Sequence, residues 1–227
     1  MVRVRIWDLP LRVFHWTLLV CVAGAFISVN IGGNGMVWHG RFGLTVAGLL
    51  AFRLVWGFAG STYARFSSFV RGPAVIKAYL RGEWHGLGHN PLGALSVLAM
   101  LATLSAQVAT GLFSNDDIAY QGYLYALVGS DLSATITGVH KLFEPVLILL
   151  IIAHLGAIAY YTRVKKENLV QPMVVGWKEV TAGKSASGGG LVAFIVAASI
   201  AAATAYAASG SWLPEPPPVG QQSTPAW

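Results

Sequence analysis

The stretch VHKLFEPVLILLIIAHLGAIAYY, residues 139–161, decides how this chain reads. It is as long as the ~20 apolar residues a helix needs to cross a hydrocarbon core. It also carries two histidines, His140 and His154, 14 residues apart. At the rise and turn of an α-helix their rings are roughly 21 Å apart along the axis and only about 40° apart in facing. One face of one membrane helix therefore presents an imidazole near each surface. Ionisable side chains at such depths are costly and mark function.

Working outward, four more apolar segments appear, at 11–29, 38–58, 91–113 and 191–208. The chain is 55% hydrophobic and 11% charged, against about 25% charge in a soluble domain. The fold class expected is an all-α integral membrane protein: a four-helix transmembrane bundle plus a fifth, Ala-rich transmembrane helix. The first segment is read as a retained helix rather than a cleaved signal, because His15-Trp16 interrupts its apolar run.

Twelve of the fifteen basic residues lie before segment one, between two and three, or between four and five. The loops after segments one and three hold none. By the positive-inside rule the N-terminus is cytoplasmic and, with five spans, the C-terminus periplasmic. The net charge of +6 is thus a topology signal. A basic face interleaved with aromatics is missing, so no nucleic-acid partner is expected and lipid is. Cys21 is the only cysteine, and no Cys-x-x-Cys-His motif occurs, which excludes covalently attached c-type haem and Cys-ligated clusters.

Topology also sets histidine depth. His39 opens segment two at the outer level of His140, and His15 starts segment one at the inner level of His154. Two imidazoles facing each other across a bundle suit bis-histidine ligation of haem iron. Two such sites, stacked along the membrane normal, make an electron path. Zinc would want three or four converging ligands; the histidines come in separated pairs, with no acidic residue expected beside them. Arg53, 14 residues after His39, shares its face at the inner level, where a guanidinium would pair with a haem propionate or snorkel to headgroups. Arg41 and Lys141 are the matching propionate candidates outside. His89 and Asn90, at the entrance of segment three, are candidates for a quinone vicinity, and His89 is an alternative inner ligand to His15. His85 reads as a surface loop residue.

These residues carry a family resemblance. Val4-Arg5-Ile6-Trp7-Asp8, Arg12-Val13-Phe14-His15-Trp16, His39-Gly40-Arg41-Phe42-Gly43 and Phe52-Arg53-Leu54-Val55-Trp56-Gly57-Phe58 are its first half. His89-Asn90-Pro91-Leu92-Gly93, the pair His140 and His154, and Pro172-Met173-Val174-Val175-Gly176 complete it. The sequence resembles the bacterial cytochrome b561 family that includes the b-type cytochrome subunit of nickel–iron hydrogenases. The resemblance covers about residues 1–180. It implies a four-helix core with two haem b groups, and His15, His39, His140 and His154 match the positions the family uses as axial ligands. The function expected is electron transfer between the quinone pool and a periplasmic redox partner, a hydrogenase-like enzyme or a c-type cytochrome, in the bacterial inner membrane. The alternative is a haem-containing anchor or assembly subunit of a larger redox complex. The domains expected are the di-haem membrane domain (1–180), a flexible linker (181–190), the fifth transmembrane helix (191–208) and a proline-rich periplasmic tail (209–227).

Overall fold

The computed structural model describes residues 1–84 and 86–214. His85 and most of the proline-rich tail lie outside the described residues. Ten elements follow one another. A strand β1 (Val2–Arg5) leads into helices α1 (Leu9–Ile31), α2 (Asn34–Ala59), α3 (Phe66–Phe69), α4 (Pro73–Leu80) and α5 (Pro91–Gly111). Then come α6 (Gly129–Arg163), α7 (Val170–Val175), strand β2 (Trp177–Val180) and α8 (Leu191–Ala208). Five of these helices, α1, α2, α5, α6 and α8, are long and apolar enough to cross a membrane. The protein is an all-α membrane protein with one small sheet added.

Local chemistry sets the helix starts. Asp8 accepts the Leu11 N–H at 2.7 Å with Pro10 in the first turn of α1. Asn90 accepts the Gly93 N–H at 2.7 Å with Pro91 opening α5. Both satisfy an N–H that the helix itself leaves free, and proline costs nothing in a first turn. Helix α6 begins at Gly129, well ahead of the apolar run at 139, because hydropathy marks where lipid starts and not where a helix does. Pro145 sits between its two histidines, yet the helix is continuous.

Helices α1, α2 and α8 pack together in one group, and α5 packs on α6 in another. The groups meet along a short seam between α2 and α5, where Cys21 of α1 joins Val46 and Leu50 of α2, Leu104 of α5 and Leu147 of α6 in one apolar cluster. The fifth helix lies on α2, away from α6. A Cβ at Gly48 would meet the Ala201 carbonyl oxygen at 3.2 Å and the Ala205 Cβ at 3.5 Å, so the glycine lets two backbones approach. Close approach through small residues is how helices associate in lipid, where apolar burial alone drives little. At the end of the contact nearest the start of α8, Phe194 sets its edge against Phe52 and the fully buried Trp56, with ring centres 6.0 and 6.4 Å away.

The sequence reading contained no strands. The structure pairs β1 with β2 antiparallel, Val2 opposite Val180 and Arg5 opposite Trp177. Arg3 and Arg5 both stand over the Trp177 ring, at 5.3 and 4.8 Å. The segment expected as a flexible linker is tied down beside this sheet. The Ala186 N–H donates to Arg5 at 2.7 Å, the Thr62 N–H to Ser187 at 2.8 Å, and the Tyr63 hydroxyl to Lys184 at 2.7 Å. Glycine and serine give the stretch a linker's composition, but its backbone groups find partners on the body of the protein.

Candidate functional site

The gap between the two helix groups is where the histidines meet. His39 on α2 and His140 on α6 face each other with ring centres 6.2 Å apart and planes at 86°. The Nδ1 of His39 lies 3.0 Å from the Ala25 carbonyl, and the Nδ1 of His140 lies 3.0 Å from the Gln107 carbonyl. A carbonyl only accepts, so each Nδ1 carries the proton and each Nε2 keeps its lone pair. A hydrogen bond from the far nitrogen is the usual means of orienting a ligand histidine.

This geometry fits a shared metal ion. A metal–imidazole bond is about 2.0–2.1 Å, so two rings ligating one ion from opposite sides stand about 6 Å apart between centres. A cavity of about 330 Å³ surrounds the pair, lined mainly by apolar side chains of α1, α2 and α5. That is the volume and lining of a cofactor site. The donor set is two neutral nitrogens in apolar surroundings, which suits haem iron better than a carboxylate-loving cation. Among the described residues no three His, Cys, Asp or Glu side chains are placed to hold one metal ion.

One sequence expectation needs correcting here. No acidic residue was expected beside the histidines, but Glu144, one turn from His140, lines the same cavity. Lys141 lines it too. Arg41 does not; it is exposed and stacks over Trp38 at 4.8 Å. Sequence reasoning missed Tyr120, which reaches the cavity from the loop between α5 and α6. No local signal marks it. Glu144 was legible, four residues after His140.

Toward the other end of the bundle from this cavity, His15 of α1 and His154 of α6 share a neighbourhood. The His15 Nδ1 is buried without a partner among the described residues. His89 belongs to the same cluster, within reach of Arg53, His154 and His15. Its ring is clasped by Trp7 and Phe69, each 4.7 Å away between centres. Asn90 is committed on both sides. Its oxygen caps α5, and its amide donates to the Tyr161 hydroxyl at 2.8 Å, which in turn meets the Tyr79 hydroxyl.

Arg53 is 2% exposed, so its guanidinium does not reach the surface. It lies over the Phe66 ring at 4.8 Å, and neither terminal nitrogen has a hydrogen-bond partner among the described residues. A buried cation with unmet donors is expensive. An anion arriving at this place would be held.

The prokaryotic cytochrome b561 family matches residues 6–176. The chain belongs to that family. It is therefore a multi-pass membrane cytochrome of the b type, and its work is electron transfer through haem b. It is 27% identical, over 77% of its length and 88% of the relative's, to a probable Ni/Fe-hydrogenase B-type cytochrome subunit from Azotobacter chroococcum mcd 1. No solved structure matches the chain. The family match ends at residue 176, so β2 and α8 stand outside it.

Proposed function

We propose that this b561-family cytochrome carries electrons across the bacterial inner membrane through two haem b groups, between the quinone pool and a periplasmic redox partner. The observation that carries the reading is the facing of His39 and His140 across a cofactor-sized cavity, with both Nδ1 atoms engaged and both Nε2 atoms free. His39 and His140 hold the outer haem, and His15 and His154 the inner one. His15 is preferred over His89 because the His89 ring is clasped on two sides by aromatic rings. Haem iron, when bound, supplies a one-electron couple with no open coordination position.

The protein's own side chains do the rest. The Ala25 and Gln107 carbonyls fix the outer rings in their ligating tautomer. The buried guanidinium of Arg53 receives a carboxylate of the inner haem, which supplies its missing counter-charge. Lys141 sits where it can serve the outer one. The hydrophobic walls keep water from the path. Quinone binds at the inner level, where Tyr79, Tyr161 and the His89 cluster offer polar groups at the bundle edge. The clustering of basic residues on one side supports a cytoplasmic N-terminus, and the hydrogenase-subunit relative supports an enzyme or cytochrome partner on the opposite side.

The test is a reduced-minus-oxidised visible spectrum of detergent-purified protein with a pyridine haemochrome count. Two low-spin b haems per chain are expected, falling to one in His154→Ala and to one in His39→Ala. A wild-type count of one would refute the two-site reading. Failure to reduce or oxidise any quinone analogue, with both haems present, would refute the quinone linkage.

A further inference from the structure

The outer cavity has a roof, built by the loop at 112–128. The Asp116 carboxylate accepts the backbone N–H groups of Ile118, Ala119 and Tyr120 at 2.9, 2.9 and 2.8 Å. The Asp116 N–H donates back to the Tyr120 carbonyl at 3.1 Å. This tight turn aims the Tyr120 side chain inward. Its hydroxyl rests against Gly40, the residue next to His39, where a Cβ would occupy the hydroxyl's own place. Glycine is needed at 40 because the phenol is there.

The Tyr120 hydroxyl has no acceptor among the described residues, although it lies at the wall of an apolar cavity. Burial pushes this phenol up to about 12, with Tyr123 and Asp116 adding to the shift, so it remains a donor at any physiological pH. Tyr123 and Lys141 line the same cavity. Lys141 makes no ion pair among the described residues, Glu144 included. Two phenols and an ammonium beside a histidine pair are the complement of a carboxylate, and haem b brings two.

We propose that Tyr120 donates a hydrogen bond to a carboxylate of the haem held by His39 and His140, so that the outer loop is a clasp retaining that haem. The proposal rests on the reading of this pair as a haem site. Asp116 shapes the turn, Tyr120 makes the bond, and Gly40 leaves room for it. The inner site has a guanidinium for the same task, so the two sites hold their cofactors by different chemistry.

The experiment uses holoprotein in detergent and measures transfer of haem to an excess of a haem-scavenging apoprotein, together with the midpoint potential of each haem. In Tyr120→Phe the His39-dependent haem should leave roughly tenfold faster, the loss expected for a hydrogen bond to a charged group. Its midpoint should fall, because an unshielded carboxylate favours ferric iron. The low-spin spectrum and the other haem should not change. Gly40→Ala keeps the hydroxyl in the chain but displaces it, and should speed release as Tyr120→Phe does. Unchanged release and potential in Tyr120→Phe, with both haems present, would overturn the clasp and leave the haem sites standing. An equal effect from Glu144→Gln would also overturn it, since the phenol would then be serving that side chain. Wild-type protein without a His39-dependent haem would overturn the underlying reading instead.

Discussion

Replacing Asp8 tests whether the end of the bundle where α1 starts is held by one carboxylate. Its Oδ1 caps α1 through the Leu11 N–H at 2.7 Å. The indole N–H of Trp56 donates to its two oxygens at 3.2 and 3.0 Å, and the Ser61 hydroxyl donates to Oδ2. Trp56 is fully buried, so its N–H has no water to turn to once the carboxylate is gone. Losing an N-cap costs about 1 kcal/mol. Losing a hydrogen bond to a charged group costs about 1.5–3 kcal/mol, and neighbouring losses do not add fully. Asp8→Ala should therefore destabilise the protein by about 3–5 kcal/mol. Asp8→Asn keeps an acceptor for the cap or the indole and should cost about 1–2 kcal/mol. The assay is unfolding in detergent followed by tryptophan fluorescence. At about 2–4 °C per kcal/mol for a chain of this size, Asp8→Ala should lower Tm by roughly 10 °C. An Ala variant within 1 kcal/mol of wild type, or an Asn variant as damaged as the Ala one, would refute the reasoning.

Arg53→Met removes a buried cation whose terminal nitrogens are unpaired among the described residues. The haem-free variant should be at least as stable as haem-free wild type, while the loaded variant should lose its inner haem faster; a drop in haem-free stability would mean the cation is already paired. Gly48→Leu cannot be accommodated against the Ala201 carbonyl, so α8 should separate from α2, and limited proteolysis within 183–190 should become faster than in wild type. Asp116 should give the outer loop a pH dependence. The Tyr120 N–H is the first cause, with those of Ile118 and Ala119, of a carboxyl lowered from its ordinary value. Its contribution is present above the ordinary Asp value of about 3.9 and is lost as pH falls through the lower folded value. Amide protection of residues 116–122, each rate taken relative to its intrinsic value at that pH, should fall in that acid window and should not change across it in Asp116→Asn.

Much of the membrane architecture was legible because lipid imposes a simple rule: apolar runs of sufficient length, with charges between them. All five spans emerged, and the short surface helix expected at Pro73–Leu80 is α4. The outer pair, His39 and His140, was legible for a related reason. Helical periodicity converts 14 residues into a depth and a facing, and topology then supplies a partner at equal depth. What the sequence concealed depends on backbone hydrogen bonds and on loops. The β1–β2 pairing joins the two ends of the family core, and no local pattern announces it. The 183–190 stretch has the composition of a linker, and only the positions of Arg5, Thr62 and Tyr63 reveal what its backbone pairs with. Tyr120 reaches the cavity through a turn made by Asp116, and no local pattern ties that aspartate to a residue four positions on. Arg53 shows the middle case. Its level was readable, but its burial among Phe66 and Phe69 required the fold of the loop after α2.

The pairing of β1 with β2 also orders events in time. Residues 2–5 have no partner until residues 177–180 have been synthesised. At about 5–20 residues per second, that is roughly 10–35 s after the N-terminus leaves the ribosome. Helices α1 through α6 are all made in that interval. The first strand to be made thus closes late, and the 183–190 segment, which donates to Arg5 from Ala186, closes later still. The sheet is a fastening applied only after α6 is made, when every histidine of the bundle is already present.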